Sequence, residues 1–205
     1  MYKYPVIVFE GIETSGKSTN IKKVSSYLNN INRKFIKIRE PGGTIYSEII
    51  RKLILNKESK FNYKTDLMLI MASRSENIDK ILKKNFGKKI ILIDRFIDST
   101  IAYQHYGMGI DINFIKKINN FLLKNIKVNF TFLNLVNKKN LYSRLKKRKL
   151  LNRYDKFNIN FYNKVQKGFL KLAYSKKKLY QIVNSNLDIK INEKLILNKI
   201  DKLID

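Results

Sequence analysis

The sequence has 205 residues, 44% of them hydrophobic, which is enough to build one domain with a full hydrophobic core. It contains no cysteine, so disulfides and thiolate metal sites are excluded. The start, Met-Tyr-Lys-Tyr-Pro, lacks the apolar stretch of a signal peptide, and no apolar run approaches the ~18 residues of a membrane span. We therefore expect a soluble cytoplasmic protein with a single domain over residues 1–205.

The net charge is +27, with 43 lysine and arginine residues against 16 aspartate and glutamate residues. Such a charge in general favours nucleic-acid binding, because cations displace the counterions of phosphates. Lysine, isoleucine and asparagine are abundant along the whole chain, as an AT-rich genome would encode, and lysines recur on helix faces that we expect to be solvated. We favour this compositional explanation and expect no specific nucleic-acid binding.

Apolar runs predict five strands, and amphipathic patterns predict helices between them. The strands are predicted at residues 6–9, 35–39, 90–94, 130–135 and 180–183. The helices are predicted at residues 17–28, 47–55, 66–85, 99–106, 113–123, 138–147, 160–178 and 193–203. Strands that alternate with helices are typical of a parallel sheet with right-handed crossovers. The sequence therefore predicts a three-layer α/β domain.

A glycine-rich segment lies between the first predicted strand and the first predicted helix. It consists of Gly11, Ile12, Glu13, Thr14, Ser15, Gly16, Lys17, Ser18 and Thr19. This order is typical of a phosphate-binding loop, whose backbone N–H groups and following helix N-terminus hold phosphates. We expect Lys17 to reach the β- and γ-phosphates of a nucleoside triphosphate and the Ser18 hydroxyl to ligate Mg²⁺. The loop alone does not distinguish kinases from ATPases, motors and switches.

Two further polar segments end predicted strands. Asp94 and Arg95 close the third strand, at the sheet edge that also holds the phosphate loop. Asp94 there is suited to orient Mg²⁺ through water or to cap the next helix, and Arg95 to clamp a phosphate with two hydrogen bonds. The segment Arg-Glu-Pro-Gly-Gly-Thr at 39–44 ends the second strand in a sharp turn.

These motifs together resemble the thymidylate kinase family. The resemblance rests on the phosphate loop, the 39–44 turn, Asp94-Arg95 and the following Asp98-Ser99-Thr100-Ile101-Ala102-Tyr103-Gln104, and it extends to a basic lid at 146–156. It implies a P-loop kinase fold with a five-stranded parallel sheet flanked by helices and a short basic lid. It also implies a homodimer that transfers the γ-phosphoryl group of Mg-ATP to dTMP, giving dTDP and ADP, in dTTP biosynthesis.

The resemblance implies roles for individual residues around the acceptor nucleotide. Glu13 corresponds to the acid near the sugar 3′-hydroxyl, and Glu40 to a residue near the metal or phosphate network. Arg51 and Arg95 correspond to contacts of the acceptor phosphate. Arg74 corresponds to the arginine that hydrogen-bonds a thymine carbonyl, and it lies on an apolar helix where an unpaired charge would be costly.

Four more positions concern the nucleoside. By the same resemblance, Thr100 and Gln104 contact the base edge, and Tyr103 crowds out a ribose 2′-hydroxyl. Ile70 departs from the family, which usually has a phenylalanine that stacks on thymine at this position. The departure predicts weaker acceptor binding or an altered base preference, and it keeps a kinase for another nucleoside monophosphate as an alternative.

The lid segment is rich in arginine and lysine. In the bacterial type of the family the catalytic arginine comes from the lid, and here Thr14 occupies the loop position that carries it in the other type. Arg148 and Arg153 are therefore the candidates to neutralise charge on the transferred phosphoryl group, although a merely basic, solvated loop is the alternative for each. The net charge is the only support for the other alternative, a nucleic-acid-binding ATPase.

Overall fold

The computed structural model describes residues 3–204 and contains one fully parallel sheet, with strand order β2-β3-β1-β4-β5. The strands are β1 (Val6–Glu10), β2 (Phe35–Arg39), β3 (Ile90–Asp94), β4 (Phe130–Leu135) and β5 (Tyr180–Asn184). The predicted five-stranded parallel sheet is confirmed, and β1 and β5 are each one residue longer than predicted.

Nine α-helices occur in the part of the chain that the structure describes. They are α1 (Lys17–Asn30), α2 (Ile45–Leu55), α3 (Tyr63–Asn77), α4 (Lys83–Asn85), α5 (Ile97–Thr100), α6 (Ile112–Leu123), α7 (Lys138–Lys146), α8 (Ile159–Ser175) and α9 (Ile189–Ile204). A π-helical segment, Ile78–Leu82, joins α3 to α4, so the single helix predicted at 66–85 is wrong in detail. A second π-helical segment, Ile101–Gly107, extends α5.

Several helices begin earlier than the hydrophobic pattern predicts, because polar side chains cap them. The Thr44 side chain accepts a hydrogen bond from the Ser47 N–H, and α2 begins at Ile45 instead of residue 47. The Asn62 side chain does the same for Thr65 at the start of α3. A capping oxygen satisfies an N–H that has no partner within the helix, and it therefore fixes the first turn.

Helices cover both faces of the sheet, which confirms the three layers. Ile7 and Phe9 of β1 pack against α1 and α9 on one face. Val6 and Val8 of the same strand pack on the other face, in a cluster that includes the π-helical segment after α3 and the end of α6. Because successive side chains of a strand point to opposite faces, a strand covered on both sides is apolar throughout. No helix within residues 3–204 combines the length and apolarity needed to cross a membrane.

The central strand β1 lies between β3 and β4, and the chain order reverses beside it. Ligands of open α/β sheets bind at such a reversal, beyond the carboxyl ends of the strands. The phosphate loop follows β1 directly, and Asp94 is paired with Phe9 in the parallel register of β1 and β3. The topology thus brings the two predicted motifs to the same edge.

The predicted lid at 146–156 has two parts. Residues 147–152 form no helix or strand, whereas Arg153–Lys156 form a 3₁₀ turn. The Asn152 side chain caps this turn, and the Asp155 side chain accepts a hydrogen bond from the Asn152 N–H. Tyr154 is buried, and the Tyr162 hydroxyl donates to its carbonyl oxygen at 2.7 Å. The second part of the predicted loop is therefore an ordered turn packed against the domain.

Candidate active site

The phosphate-binding loop spans residues 11–16, between β1 and α1. Gly11 has φ 138°, and a Cβ at this position would lie 2.3 Å from the Asn134 carbonyl oxygen, so only glycine fits. Lys17 begins α1, and its Nζ donates to the carbonyl oxygens of Gly11 and Ile12 at 3.0 and 2.8 Å. The Ser185 hydroxyl donates to the Ser15 carbonyl oxygen at 2.6 Å and ties the loop to the end of β5.

The Lys17 ammonium is buried at the base of the loop. Burial lowers the pKa of Lys17 to about 8, and the nearby Arg95 acts in the same direction. Two carbonyl oxygens stabilise the charged form only partly, whereas an anion in the loop would stabilise it strongly. The arrangement is therefore suited to an anionic ligand.

Ser18 and Asp94 lie beside each other, as predicted for a magnesium site. The Ser18 hydroxyl donates to Asp94 Oδ2 at 3.1 Å, and the buried Asp94 Oδ1 has no hydrogen-bond partner. Mg²⁺ is usually held by one or two protein oxygens, together with waters and substrate phosphates. A hydroxyl and a carboxylate with a free buried oxygen fit this requirement.

Glu13, Arg95 and Tyr103 form one cluster at the cavity wall. Arg95 Nη2 donates to Glu13 Oε1 at 3.0 Å, and the Tyr103 hydroxyl donates to Glu13 Oε2 at 2.5 Å. The Arg95 guanidinium also lies 5.1 Å from the centre of the Tyr103 ring. Arg95 has φ 65°, a left-handed conformation that is uncommon for a residue other than glycine. Glu13 is thus held by two other predicted site residues that lie 82 and 90 positions later in the chain.

Arg74 is buried and paired rather than extended to the surface. Its Nε donates to Glu40 Oε2 at 2.7 Å, and its two terminal nitrogens donate to Asn119 at 2.6 Å and Thr100 at 3.0 Å. The guanidinium also lies 5.2 Å from the centre of the Phe96 ring. Burial raises the pKa of Glu40, although the charge of Arg74 opposes this shift. A fourth N–H, on Nη1, donates to Met71 Sδ at 3.8 Å, so one of the five N–H groups of the guanidinium remains, and its direction is fixed.

A cavity of about 470 Å³ opens beyond the carboxyl ends of the strands. It is large enough for a small organic ligand. Of the predicted site residues, those that line it are Glu13, Thr14, Lys17, Ser18, Glu40, Arg51, Ile70, Arg74, Asp94, Arg95, Thr100, Tyr103, Gln104 and Arg148. Arg51 is held there by a hydrogen bond of 2.6 Å from its Nη1 to the Pro41 carbonyl oxygen.

The two lid arginines differ in position. Arg148 lines the cavity, and its Nη1 lies 2.5 Å from Asp155 Oδ1. Arg153 is not among the residues that line the cavity; it is paired with Asp66 at the start of α3. Its guanidinium also lies against the rings of Phe61 and Tyr154. Of these two arginines, Arg148 alone lines the cavity in this arrangement.

The site predicted from sequence omits Arg144, although this residue lines the cavity. Its Nη1 donates to the Thr14 carbonyl oxygen at 3.0 Å, and its Nη2 donates to the Ser185 carbonyl oxygen at 2.6 Å. One guanidinium therefore joins α7, the phosphate loop and the end of β5. In a chain this rich in lysine, an arginine at position 144 is itself a sign of a functional contact. A lysine could not make both hydrogen bonds with the same geometry.

A parallel sheet of this strand order, with a phosphate-binding loop after its central strand and a basic segment beside the cavity at the same edge, defines a P-loop kinase. Comparison with known proteins identifies the family within this class. A family model described as Thymidylate kinase matches residues 9–196. The chain belongs to the thymidylate kinase family, and it is a transferase of the nucleoside monophosphate kinase class.

Individual relatives agree with this assignment. The chain is 38% identical over 196 residues to the thymidylate kinase of Sulfurihydrogenibium sp. (strain YO3AOP1), and the match covers 95% of each chain. It is 37% identical over 191 residues to that of Mycoplasma capricolum, which covers 89% of this chain and 88% of the relative. The crystal structure of thymidylate kinase from Ehrlichia chaffeensis superposes with a TM-score of 0.79 at 31% identity, and it covers 97% of this chain and 98% of that one.

Proposed function

We propose that this protein transfers the γ-phosphoryl group of Mg-ATP to the 5′-phosphate of dTMP, giving dTDP and ADP, and thereby serves dTTP biosynthesis. The observation that supports this most directly is the shared cavity. It joins the phosphate-loop residues Lys17 and Ser18 to the polar cluster of Glu13, Arg95 and Tyr103. Donor and acceptor phosphates would meet between Lys17 and Arg95.

Both reacting groups are phosphates, so the protein has little covalent chemistry to perform. Residues 11–19 would bind the donor through backbone N–H groups and Lys17. Arg95 would hold the acceptor phosphate, with Arg51 nearby, and Arg148 would approach from the lid to neutralise the transferred phosphoryl group. The catalytic contribution would be positioning and fixed positive charge, and closure of the lid would exclude water from the site.

Ser18 and Asp94 are the proposed magnesium-binding residues. When bound, Mg²⁺ would neutralise phosphate charge. The chain supplies the serine hydroxyl and the unpartnered Asp94 oxygen, and both residues line the cavity. We expect removal of divalent cations by EDTA to abolish turnover and added Mg²⁺ to restore it.

The acceptor nucleoside would lie against the opposite wall of the cavity. Glu13, fixed by Arg95 and Tyr103, would accept a hydrogen bond from the sugar 3′-hydroxyl, and Tyr103 would occupy the space of a 2′-hydroxyl. The remaining N–H of Arg74, together with Thr100 and Gln104, would read the base edge. Glu40 would hold Arg74 in place, because its carboxylate lies 2.7 Å from Arg74 Nε.

We also propose a homodimer, with the apolar face of α2 as part of the interface. Ile45, Ile49 and Leu53 recur at helical spacing on this face and are 81%, 51% and 46% exposed; the adjacent Tyr46 is 66% exposed. Such a large exposed apolar surface is typical of a contact between proteins. Sedimentation equilibrium of the protein and of Ile49→Glu would test this, since the variant should be monomeric.

The remaining proposals concern the chain as a whole. We propose that residues 1–205 act as one domain, that the protein is cytoplasmic, and that it binds no nucleic acid specifically despite its charge of +27. The rival function, a nucleic-acid-binding ATPase, predicts ATP hydrolysis that DNA stimulates and salt suppresses. ATP turnover that requires a free nucleotide would exclude it.

The direct test is a coupled assay of ADP release with dTMP, dUMP, dCMP, dGMP and dAMP as acceptors. We expect dTMP to be preferred, and Lys17→Ala to lower kcat by about 10²- to 10³-fold while the protein remains folded. Absence of dTMP-dependent ADP release from the parent protein would refute the proposed function. Preference for another nucleotide would favour the second candidate, a kinase for a different nucleoside monophosphate, which Ile70 in the cavity wall makes worth testing.

A further inference from the structure

Asp66 is a buried carboxylate that the proposed reaction does not use. It lies in the first turn of α3, is only 2% exposed, and shares one helix face with Ile70 and Arg74 at a spacing of four residues. Burial raises the pKa of Asp66, and its ion pair with Arg153 opposes this shift. A charge in such a place is costly unless its partners are fixed.

Both side-chain partners of Asp66 come from the lid turn Arg153–Lys156. Arg153 Nη2 is ion-paired with Asp66 Oδ1, and the Tyr154 hydroxyl donates to Asp66 Oδ2 at 3.4 Å. The turn is itself preformed by the reciprocal hydrogen bonds of Asn152 and Asp155. A rigid turn is therefore attached to α3 through one carboxylate.

The same turn contacts three residues that line the cavity, namely Tyr103, Gln104 and Arg148. Gln104 Nε2 donates to the Tyr154 hydroxyl at 3.4 Å, and the rings of Tyr154 and Tyr103 meet edge to face with centroids 5.8 Å apart. One residue further on, Asp155 accepts the hydrogen bond from Arg148 at 2.5 Å. The turn thus contacts both Gln104, a predicted base contact, and Arg148, the lid arginine that lines the cavity.

We propose that Asp66 is a positioning residue that holds the lid turn over the acceptor side of the cavity through Arg153 and Tyr154, and that it thereby couples lid placement to acceptor binding. This rests on the proposed function for its kinetic consequences, but not for its structural ones. It also gives Arg153 a task in lid placement, distinct from direct contact with the transferred phosphoryl group.

A structural test needs no activity. Because the chain has no cysteine, Leu150→Cys at the lid and Lys22→Cys on α1 can be spin-labelled selectively, and both parent side chains are exposed. Electron–electron distance measurements should give one narrow distribution in the labelled parent and a broader or shifted one in Asp66→Asn. An unchanged distribution in Asp66→Asn would overturn the proposal, whatever substrate the enzyme uses.

The kinetic test compares Asp66→Asn with Asp79→Asn, a control that breaks the exposed pair of Asp79 and Lys83 just after α3. We expect Asp66→Asn to raise the acceptor KM about tenfold, Asp66→Glu to restore part of this loss, and the control to match the parent. Tyr154→Phe, which keeps the ring and removes only the hydroxyl, should raise it about threefold. Unchanged acceptor KM in both Asp66→Asn and Tyr154→Phe, in an enzyme that does phosphorylate dTMP, would overturn the coupling.

Variants of Arg153 distinguish a role in lid placement from a direct catalytic role. If it acts through Asp66, the double variant Asp66→Asn/Arg153→Gln should have the same acceptor KM as either single variant, since residues that act through one contact are not additive. If turnover instead fell about a hundredfold in Arg153→Gln and little in Asp66→Asn, Arg153 would be a direct catalyst and its assigned task would be overturned. Thermal unfolding of each variant would identify any that fail to fold.

Discussion

Glu10 Oε1 accepts a hydrogen bond of 2.9 Å from the backbone N–H of Phe96, which joins the end of β1 to the residue after Arg95. The same oxygen accepts from the Ser99 N–H at 3.1 Å, and the Ser99 hydroxyl donates to the other oxygen. A fully buried carboxylate on one strand thus satisfies the free N–H groups at the start of a helix that follows another strand. These bonds fix the backbone that holds Arg95 in its left-handed conformation.

The stability of the protein should depend on pH through Glu10. Burial raises the pKa of Glu10 from 4.5 to about 7, and Asp98 acts in the same direction. The folded state therefore binds this proton more tightly than the unfolded state, so the contribution of Glu10 to the free energy of unfolding falls as pH rises from about 4.5 to about 7. We expect the difference in unfolding free energy, parent minus Glu10→Gln, to decrease by about 3 kcal/mol between pH 4 and pH 8.

Urea denaturation of both proteins at a series of pH values measures this difference, and all other titrating groups are common to the two. Glu10→Gln keeps the shape and one acceptor oxygen but cannot ionise. If the free energies of unfolding of the parent and the variant changed with pH in parallel, the pKa of Glu10 would be the same in the folded and unfolded states, and the prediction would be wrong.

Removal of Glu40 should destabilise the protein strongly. Arg74 would remain buried, at 1% exposure, without its ionic partner. Breaking a buried pair in this way costs about 3–5 kcal/mol, whereas an exposed pair contributes less than about 1 kcal/mol. We therefore expect Glu40→Ala to lower the free energy of unfolding by about 3–5 kcal/mol. The control Asp79→Ala, whose carboxylate is 57% exposed, should lower it by less than about 1 kcal/mol, and urea denaturation at neutral pH measures both. Equal losses in the two variants would contradict the prediction.

Ile70→Phe should improve acceptor binding. Ile70 lines the cavity and is 8% exposed, so an aromatic ring there would face the base. Aromatic pairs contribute about 0.5–1.5 kcal/mol beyond their buried area, which corresponds to a two- to tenfold lower KM for dTMP. Initial-rate kinetics would measure the change, with Ile189→Phe at an exposed position of α9 as control. An unchanged or higher KM would refute our account of this position.

Arg144→Lys should weaken donor binding even though the charge is kept. The guanidinium bridges the carbonyl oxygens of Thr14 and Ser185, and an ammonium group cannot span both with the same geometry. Loss of one such hydrogen bond costs about 0.5–1.5 kcal/mol, so we expect a two- to tenfold higher KM for ATP. The matched control is Arg33→Lys, at an exposed residue remote from the loop. If both variants kept the parent KM, the bridge would have no role in donor binding.

Much of the architecture followed from local patterns. The apolar run at 90–93 predicted β3 because a strand covered on both faces is apolar throughout. The phosphate loop was recognisable because its function depends on backbone conformation, and glycines at fixed positions make that conformation possible. Errors occurred at helix starts such as Ile45, where the Thr44 cap and not the apolar pattern sets the first turn.

The contacts that organise the site were harder to predict from the sequence. The sequence did not point to Asp66 or Tyr154, because Asp66 and its partner Arg153 are 87 residues apart in the chain. Likewise, Glu10 precedes the phosphate loop in sequence but binds the start of a helix 86 residues later. No local pattern encodes such a partner.

By itself, the sequence determined the order of strands and helices, the phosphate-binding loop and the family, because each depends on residue types at short spacing. Only the tertiary structure decided which charges meet. It paired Arg74 with Glu40, placed Arg148 at the cavity and attached Arg153 to Asp66. The physical reason is that a buried charge is stabilised by whichever opposite charge the packed chain brings within hydrogen-bonding distance, and that distance is set by the packing of the whole domain.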